Sequence, residues 1–324
     1  MFKKKIKPPL QLLIYEAAYR RFATTPSFYQ ELKNIQSGYQ GESSLLYHLN
    51  KLPNEYFIYH DLRLPHQSYF FQTDFLILTS TFGLIIEVKN YSGSVYFDYP
   101  IHQLIRTYQD KKEAVPDPVI QAHGQRDQLR LFFPVDYPLE TLVIFSNPRT
   151  IITAHDRYSL IHQVARVENI SAKVDQLNQK YQRIILSKHD IHHINHELLT
   201  KHTPLKSDIL LSYSLKKTDM RPGLFCVSCQ NYHLIRKHGW WLCPHCAYKD
   251  KTSHIPGLID YALLQSTRIT NQQFRGLCQI DSSSTSSKLL SRLGLPSTGS
   301  TKGKTYSLTD HFGYPLLRNP AKNR

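Results

Sequence analysis

The sequence predicts a mixed α/β fold, a mixed sheet flanked by helices, followed by two small C-terminal modules. Three observations predict it. Short apolar strand-like runs alternate with stretches of helical period through about residue 200. Two Cys-x2-Cys pairs stand between residues 226 and 246. The tail that carries them is basic and almost free of acid.

Leu10, Leu13, Ile14, Ala17 and Ala18 recur at helical spacing, so residues 10–36 are expected to be helical until Gly38 and Gly41 break the pattern. A second helix is expected from Gly41 to about Leu52, with Leu45, Leu46 and Leu49 as its apolar stripe and Glu42 facing inward. Tyr56–Leu64 reads as a strand, and Phe70–Thr79 with Leu84–Tyr91 as a hairpin whose turn ends in Gly83. After a polar stretch, Pro118 opens a helix through Leu131, Thr141–Ser146 is a buried strand, and residues 171–200 are mostly helical.

A chain of 324 residues suits two or three domains, and 41% hydrophobic residues suffice for their cores. The expected divisions are an N-terminal helical segment (1–37), the α/β domain (38–150), a mostly helical extension (151–220), a cysteine module (221–252) and a helical module (255–315). No run of about 18 apolar residues occurs, and the start, Met1-Phe-Lys-Lys-Lys, lacks a signal core. No membrane partner and a cytoplasmic location are therefore expected. The net charge is +15. Residues 201–324 hold eighteen Lys and Arg against six Asp and no Glu, so the tail carries +12 of it. Such an excess favours a polyanionic partner such as nucleic acid or an anionic membrane face; with no membrane partner expected, DNA is the expected partner and RNA the alternative.

The hairpin carries the chemistry. A two-residue period puts Gln72, Asp74, Leu76 and Leu78 on one face of the first strand, and Ile85, Glu87 and Lys89 on one face of the second. Burying charge costs several kcal/mol unless it is paired or metal-bound. One reading is an exposed salt bridge with Asp74 solvated at a strand edge. The other is a hard divalent cation, Mg²⁺ or Mn²⁺, held by Asp74 and Glu87, with Lys89 to steady charge developing on a phosphate.

Asp74 followed by Glu87-Val88-Lys89 resembles the PD-(D/E)xK nuclease signature, which implies a restriction-endonuclease-like sheet. The set Gly41-Glu42, Gln72-Thr-Asp74, Gly83-Leu-Ile-Ile-Glu87-Val-Lys89-Asn90-Tyr91 and Pro118-Val-Ile-Gln121 is similar to the nuclease-related domain, over roughly residues 38–150. The resemblance implies that the Val88 carbonyl is a further metal ligand, that Glu42 is an additional acid of the site, and that Gln121, backed by Gln125 and Gln128, stands near the scissile phosphate.

Cys226-Val-Ser-Cys229 and Cys243-Pro-His-Cys246 are 13 residues apart, the pattern of a zinc ribbon with a closed, structural Zn²⁺ site. Tyr232–Arg236 and Gly239–Leu242 are its expected strands, with His233, His238 and His245 as bystanders. Cys278 reads as a small buried hydrophobe. Arg236, Lys237, Lys249 and Lys251 with Trp240, Trp241 and Tyr248 offer charge and stacking surface, although the tryptophans are as readily core. Helices at Leu258–Gln265, Asn271–Cys278 and Thr285–Leu293 and a strand at Thr305–Leu308 outline a winged helix. Phe274 and Leu277 would pack on Leu289, Leu290 and Leu293, Ser283–Lys288 would meet DNA, and 298–304 would be the wing. A protein-binding helical module is the alternative. His189, His192, His193 and His196 fall near one helix face and read as solvated surface. Two functions fit: a divalent-metal nuclease with nucleic-acid-binding modules, and a non-cleaving DNA-binding regulator or scaffold. Substrate form, pathway and oligomeric state stay open.

Overall fold

The computed structural model describes residues 1–99, 101–230 and 234–308. Residues 309–315 of the expected winged helix and the start of the first expected ribbon strand, including His233, lie outside the described residues. The chain divides into two compact units, residues 1–9 with 33–205, and residues 10–32 with those from 206 onward. The N-terminal segment and the helical extension expected from sequence are each divided between the two. Strand β1 (Phe2–Lys4) opens the first unit; helix α1 (Leu10–Arg21) and the start of α2 (Pro26–Ser44) belong to the second.

The first unit continues with α3 (Leu46–Leu49), β2 (Phe57–His66), β3 (Tyr69–Leu78), β4 (Gly83–Lys89), β5 (Ser94–Phe97), β6 (Gln103–Tyr108) and β7 (Lys111–Pro116). Helix α4 (Pro118–Leu129), strands β8 (Leu139–Phe145), β9 (Ile151–Ala154) and β10 (Val164–Arg166), and helices α5 (Ile170–Lys180) and α6 (Lys188–Lys201) follow. A six-stranded mixed sheet has the order β1-β2-β3-β4-β8-β10, with β2, β3 and β4 antiparallel and the remaining pairs parallel. One face packs Phe75, Ile77, Leu84 and Ile86 against Leu45 and Leu49 and against Ile170 and Val174 of α5. The other packs Leu76, Leu78 and Ile85 against Leu129 of α4 and Ile191, Ile194 and Leu198 of α6. The result is a sheet sandwiched between helices, each strand face buried as its alternation demands.

Two sequence expectations need correction here. Gly38 and Gly41 do not end the first helix; α2 runs through both to Ser44. The break falls earlier, where Thr25 Oγ1 accepts from the Phe28 N–H at 3.2 Å and Pro26 occupies the first helical position. Consequently the helix expected from Gly41 to Leu52 is reduced to α3, and its stripe is incomplete: Leu45 and Leu49 are buried while Leu46 is exposed.

The polar stretch after β4 forms a second sheet, order β7-β6-β5-β9, that the sequence did not reveal. Its β6–β7 hairpin turns on Gln109 and Asp110, both left-handed with φ of 48° and 61°, without the Asn-Gly pair that would have signalled it. Val95, Phe97 and Leu104 of this sheet pack with Val119, Val143 and Phe145, which ties it to α4 and β8.

The second unit adds α7 (Ile209–Ser212), a three-stranded sheet of β11 (Ile235–Lys237), β12 (Trp240–Leu242) and β13 (Lys249–Asp250), and then α8 (His254–Leu264), β14 (Arg268–Thr270), α9 (Asn271–Cys278) and α10 (Ser283–Arg292). Strands β15 (Ser297–Thr298) and β16 (Thr305–Ser307) complete a sheet of order β14-β16-β15. From α8 onward the element order is helix, strand, helix, helix, strand, strand, with β16 paired to both β14 and β15. Phe274, Leu277, Leu289 and Leu290 share one core with Trp241, Leu258 and buried Cys278. Helix α1 joins this unit: buried Arg21 donates to Asp260 at 2.8 Å and to the Gly223 carbonyl at 2.7 Å, and Arg20 donates to Asp260 at 2.7 Å. Among the described residues no helix is long and apolar enough to cross a membrane.

Candidate active site and candidate metal centre

Strands β3 and β4 pair only from Phe75–Ile86 to Leu78–Gly83. At Asp74 the ladder stops and the side chain takes over: its carboxylate accepts the Val88 N–H at 2.7 Å. On the other edge of β4 the Lys89 carbonyl accepts from the Ser146 N–H at 3.0 Å, so β4 remains attached to β8 while it parts from β3. The change of phase is visible in the core. Phe57 and Tyr59 line the same apolar cluster as Leu62 and Leu64, because Asp61 between them adopts a φ of 54° and reverses the alternation. The face assigned to Asp74 from strict two-residue alternation therefore does not continue to Gln72, whose amide turns to Asp61 at 2.7 Å.

Buried Glu87 and Lys89 share a face of β4, as the period requires. The Lys89 ammonium donates to Glu87 Oε1 at 2.6 Å and to Gln121 Oε1 at 3.1 Å. Gln121 and Gln125, one turn apart on α4, each donate to Glu87 at 2.8 Å, Gln121 to Oε1 and Gln125 to Oε2. The start of α4 is fixed by Asp117, which accepts from the Val119 N–H at 2.8 Å and from the buried Tyr158 hydroxyl at 2.7 Å, with Pro118 at the first position. Gln128, placed behind Gln121 by helical spacing, bonds instead to the Tyr69 hydroxyl at 3.1 Å.

Glu42 comes from α2. Its Oε2 lies 2.6 Å from Nε2 of buried His60, which sits on β2 opposite Phe75, one residue from Asp74. Gly41 makes that approach feasible: a Cβ there would stand 2.7 Å from Asn90 Cβ and 2.8 Å from Ser146 Oγ. The glycine read as a helix breaker is thus a contact residue, its lack of a side chain required by the close approach of Asn90 and Ser146.

Burial, followed by the charges of Glu87 and Glu42, pushes the Asp74 carboxyl well above the usual carboxylate range, against the opposing Val88 hydrogen bond and Lys89 charge. Burial works against the Lys89 ammonium, but Glu87 outweighs it and the Lys89 pKa rises. Asp74 and Glu87 thus share the charge of Lys89 while Glu42 lies against His60, and the buried Gln125 Oε1 has no hydrogen-bond partner. Hard oxygen donors in excess of positive charge fit a divalent cation. The structure thus gathers Glu42, Asp74, Glu87, Val88, Lys89 and Gln121. Sequence reasoning missed His60, the pairing of Gln125 with Glu87, and the Asp117–Tyr158 anchor. None of these carries a local signal, since each matters only through contacts between distant elements.

The four cysteines behave differently. Cys226, Cys229, Cys243 and Cys246 bring their sulfurs within 4.8 Å of one another, and among the described residues they are the one group of three or more His, Cys, Asp or Glu that does so. Their Sγ separations of 3.7 Å (Cys226–Cys246) and 3.5 Å (Cys229–Cys243) are far beyond a disulfide. They approach the edge of about 3.8 Å implied by a tetrahedron with metal–sulfur bonds of about 2.3 Å. Each pair closes alike: the Gln230 N–H bonds the Cys226 carbonyl and the Ala247 N–H the Cys243 carbonyl, both at 2.9 Å, with φ of 59° and 57°. Donation from the Tyr248 N–H, then from neighbouring Ser228 and the other thiols, lowers the exposed Cys246 thiol to about 6. These sulfurs could hold a zinc ion. By contrast His189, His192, His193 and His196 are all exposed on α6, as expected of a solvated surface.

No curated protein and no solved structure matches the chain. Residues 37–146, which contain α2 from Ser37, the diverging strands, all three acids, Lys89 and α4, match the family model of the nuclease-related domain, and over those residues this chain carries one.

Proposed function

We propose that the chain hydrolyses phosphodiester bonds in DNA with a divalent cation, Mg²⁺ or Mn²⁺, as cofactor. The observation that carries this reading is the parting of β3 from β4 at Asp74, beside which Glu87, Lys89 and the Val88 backbone of β4 are brought together. Asp74, Glu87 and the Val88 carbonyl would hold the cation. When bound, it polarises a phosphoryl oxygen and lowers the pKa of a coordinated water. Lys89, kept charged by Glu87 and aligned by Gln121, steadies the negative charge that builds on the phosphate. Gln125 and Gln121 fix both Glu87 oxygens, and His60 fixes Glu42, so the acids are oriented before substrate arrives.

In the tail, zinc held by the four cysteines would be structural, since four thiolates close the coordination shell. The winged helix would deliver the substrate: exposed Ser283, Ser284, Ser287 and Lys288 at the start of α10 meet the major groove, and the turn between β15 and β16 meets the backbone. RNA is the alternative polyanion.

The test incubates wild type and Lys89→Ala with linear, circular and single-stranded DNA and with RNA, each with Mg²⁺, Mn²⁺ or EDTA. Cleavage by wild type with metal alone is the expected result. If neither protein cuts while both bind DNA, the chain is a non-cleaving DNA-binding regulator or scaffold.

A further inference from the structure

The ribbon sheet has two unlike faces. Its register pairs Arg236 with Trp241 and Trp241 with Asp250, so these three share a face; Ile235, Lys237, Trp240, Leu242 and Lys249 share the other. The first face is inward. Trp241 is fully buried, its Nε1 donates to His254 Nδ1 at 3.1 Å, and the Arg236 guanidinium lies 5.0 Å from its ring centre. The second face is exposed. Trp240 keeps 37% of its surface in solvent, with the Lys251 and Lys249 ammoniums 4.4 and 5.4 Å from its ring centre and exposed Lys237 opposite it on β11.

No acid occurs between Asp219 and Asp250 in the sequence. The Asp250 carboxylate, on the inward face, is engaged by the Thr252 N–H at 2.7 Å and the Ser253 hydroxyl at 2.8 Å. The outward face therefore presents an aromatic ring and three ammonium groups with no counter-charge on its own strands. The core of this unit is supplied by Trp241 and the neighbouring helices, and Trp240 lies outside it.

We infer that Trp240, with Lys237, Lys249 and Lys251, is a stacking platform for an unpaired nucleotide of single-stranded nucleic acid. The Lys249 and Lys251 ammoniums lie over the ring in the free protein; an incoming base takes their place on the ring, and the released lysines pair with the phosphates that flank it. Duplex DNA does not satisfy it, since paired bases are already stacked and offer the ring no free face. The inference rests on the nucleic-acid reading above and narrows it to substrates with an unpaired segment, engaged by the ribbon separately from α10.

The experiment titrates full-length wild type, Trp240→Ala and Trp240→Phe with a 20-nucleotide oligo-dT and with a 20-base-pair duplex of mixed sequence, following anisotropy and intrinsic fluorescence. Trp240→Ala weakens oligo-dT binding about tenfold and leaves the duplex Kd unchanged; Trp240→Phe retains most of the affinity. Oligo-dT quenches tryptophan emission in wild type and not in Trp240→Phe, a readout independent of whether the alanine variant keeps its zinc. Lys249→Gln and Lys251→Gln each lower the salt slope of oligo-dT binding by about 0.7. Undiminished oligo-dT binding by Trp240→Ala, or binding without a Trp240 fluorescence change, overturns the platform while the nucleic-acid reading stands. So does wild-type binding to duplex alone. Binding to neither nucleic acid removes both readings, and Trp240-dependent binding to anionic phospholipid vesicles instead assigns the face to a membrane surface.

Discussion

The two candidate metal centres are assembled in opposite ways. The cysteine cluster is local: two short turns, each closed by its own backbone hydrogen bond, bring four sulfurs into mutual contact. The acidic centre is long-range: Glu42 from α2, Asp74 from β3 and Glu87 from β4 are held by His60, Val88 N–H and the glutamines of α4. Its ligand atoms do not close to the spacing of the sulfurs. A closed set of soft ligands suits a permanent structural ion, whereas spread carboxylates with a charged lysine leave room for a substrate oxygen.

The largest effect expected from breaking this contrast is at the sulfurs. Cys226→Ser should drop zinc content to below about a tenth of an ion per chain and unfold the ribbon, read by metal analysis and loss of the Trp241 emission. Full zinc retention in that variant would contradict the closed shell. At the acids, Asp74→Asn and Lys89→Ala should each lower metal-dependent cleavage at least about a hundredfold while DNA affinity holds. Equal cleavage by either variant removes that residue from the site.

Gly41→Ala is a milder test of how the acids are assembled. Its new methyl must displace Asn90 and Ser146, costing about 1–3 kcal/mol of stability and shifting Glu42, so cleavage should fall while zinc stays. The smallest effect is pH-dependent. Burial, aided by Arg236, lowers His254 to about 4. The unfolded chain binds this proton at higher pH than the folded one, so stability should fall as pH drops from about 6.5 toward 4. Denaturant midpoints at pH 7 and pH 5, followed through the two tryptophans of the second unit, should differ by about 1–2 kcal/mol. His254→Asn, which keeps an acceptor for Trp241 Nε1, should flatten that dependence; an unchanged slope assigns it elsewhere.

How much was legible follows the same division. The cysteine spacing, the Glu87–Val88–Lys89 alternation and Pro118 as a helix start are short-range signals, and they predicted their elements well. Asp74 was recognisable as a charge inside an apolar strand, but its partner was not, because the ladder ends there and the side chain bonds a backbone group fourteen residues away. Gly41 misled for a related reason: its use lies in Asn90 and Ser146, which no local pattern connects to it. The second sheet escaped because β5 is only four residues long and β7 is mostly exposed and polar, without the long apolar run that marks β3. Membership of α1 in the second unit rests on Arg20 and Arg21 meeting Asp260, a pairing hundreds of residues apart.

The helix α4 and strand β8 that complete the acidic centre lie at residues 118–129 and 139–145, well after Asp74 and Glu87 in the chain. During synthesis, then, the hairpin with its acids emerges first and stays chemically incomplete until the ribosome has added the glutamines that orient Glu87 and the strand that braces β4. The knuckles need only a few residues each, and closing so short a loop takes on the order of tens of nanoseconds. The acidic centre can therefore be assembled only after α4 and β8 have been made, whereas each knuckle can close as soon as its own few residues have emerged.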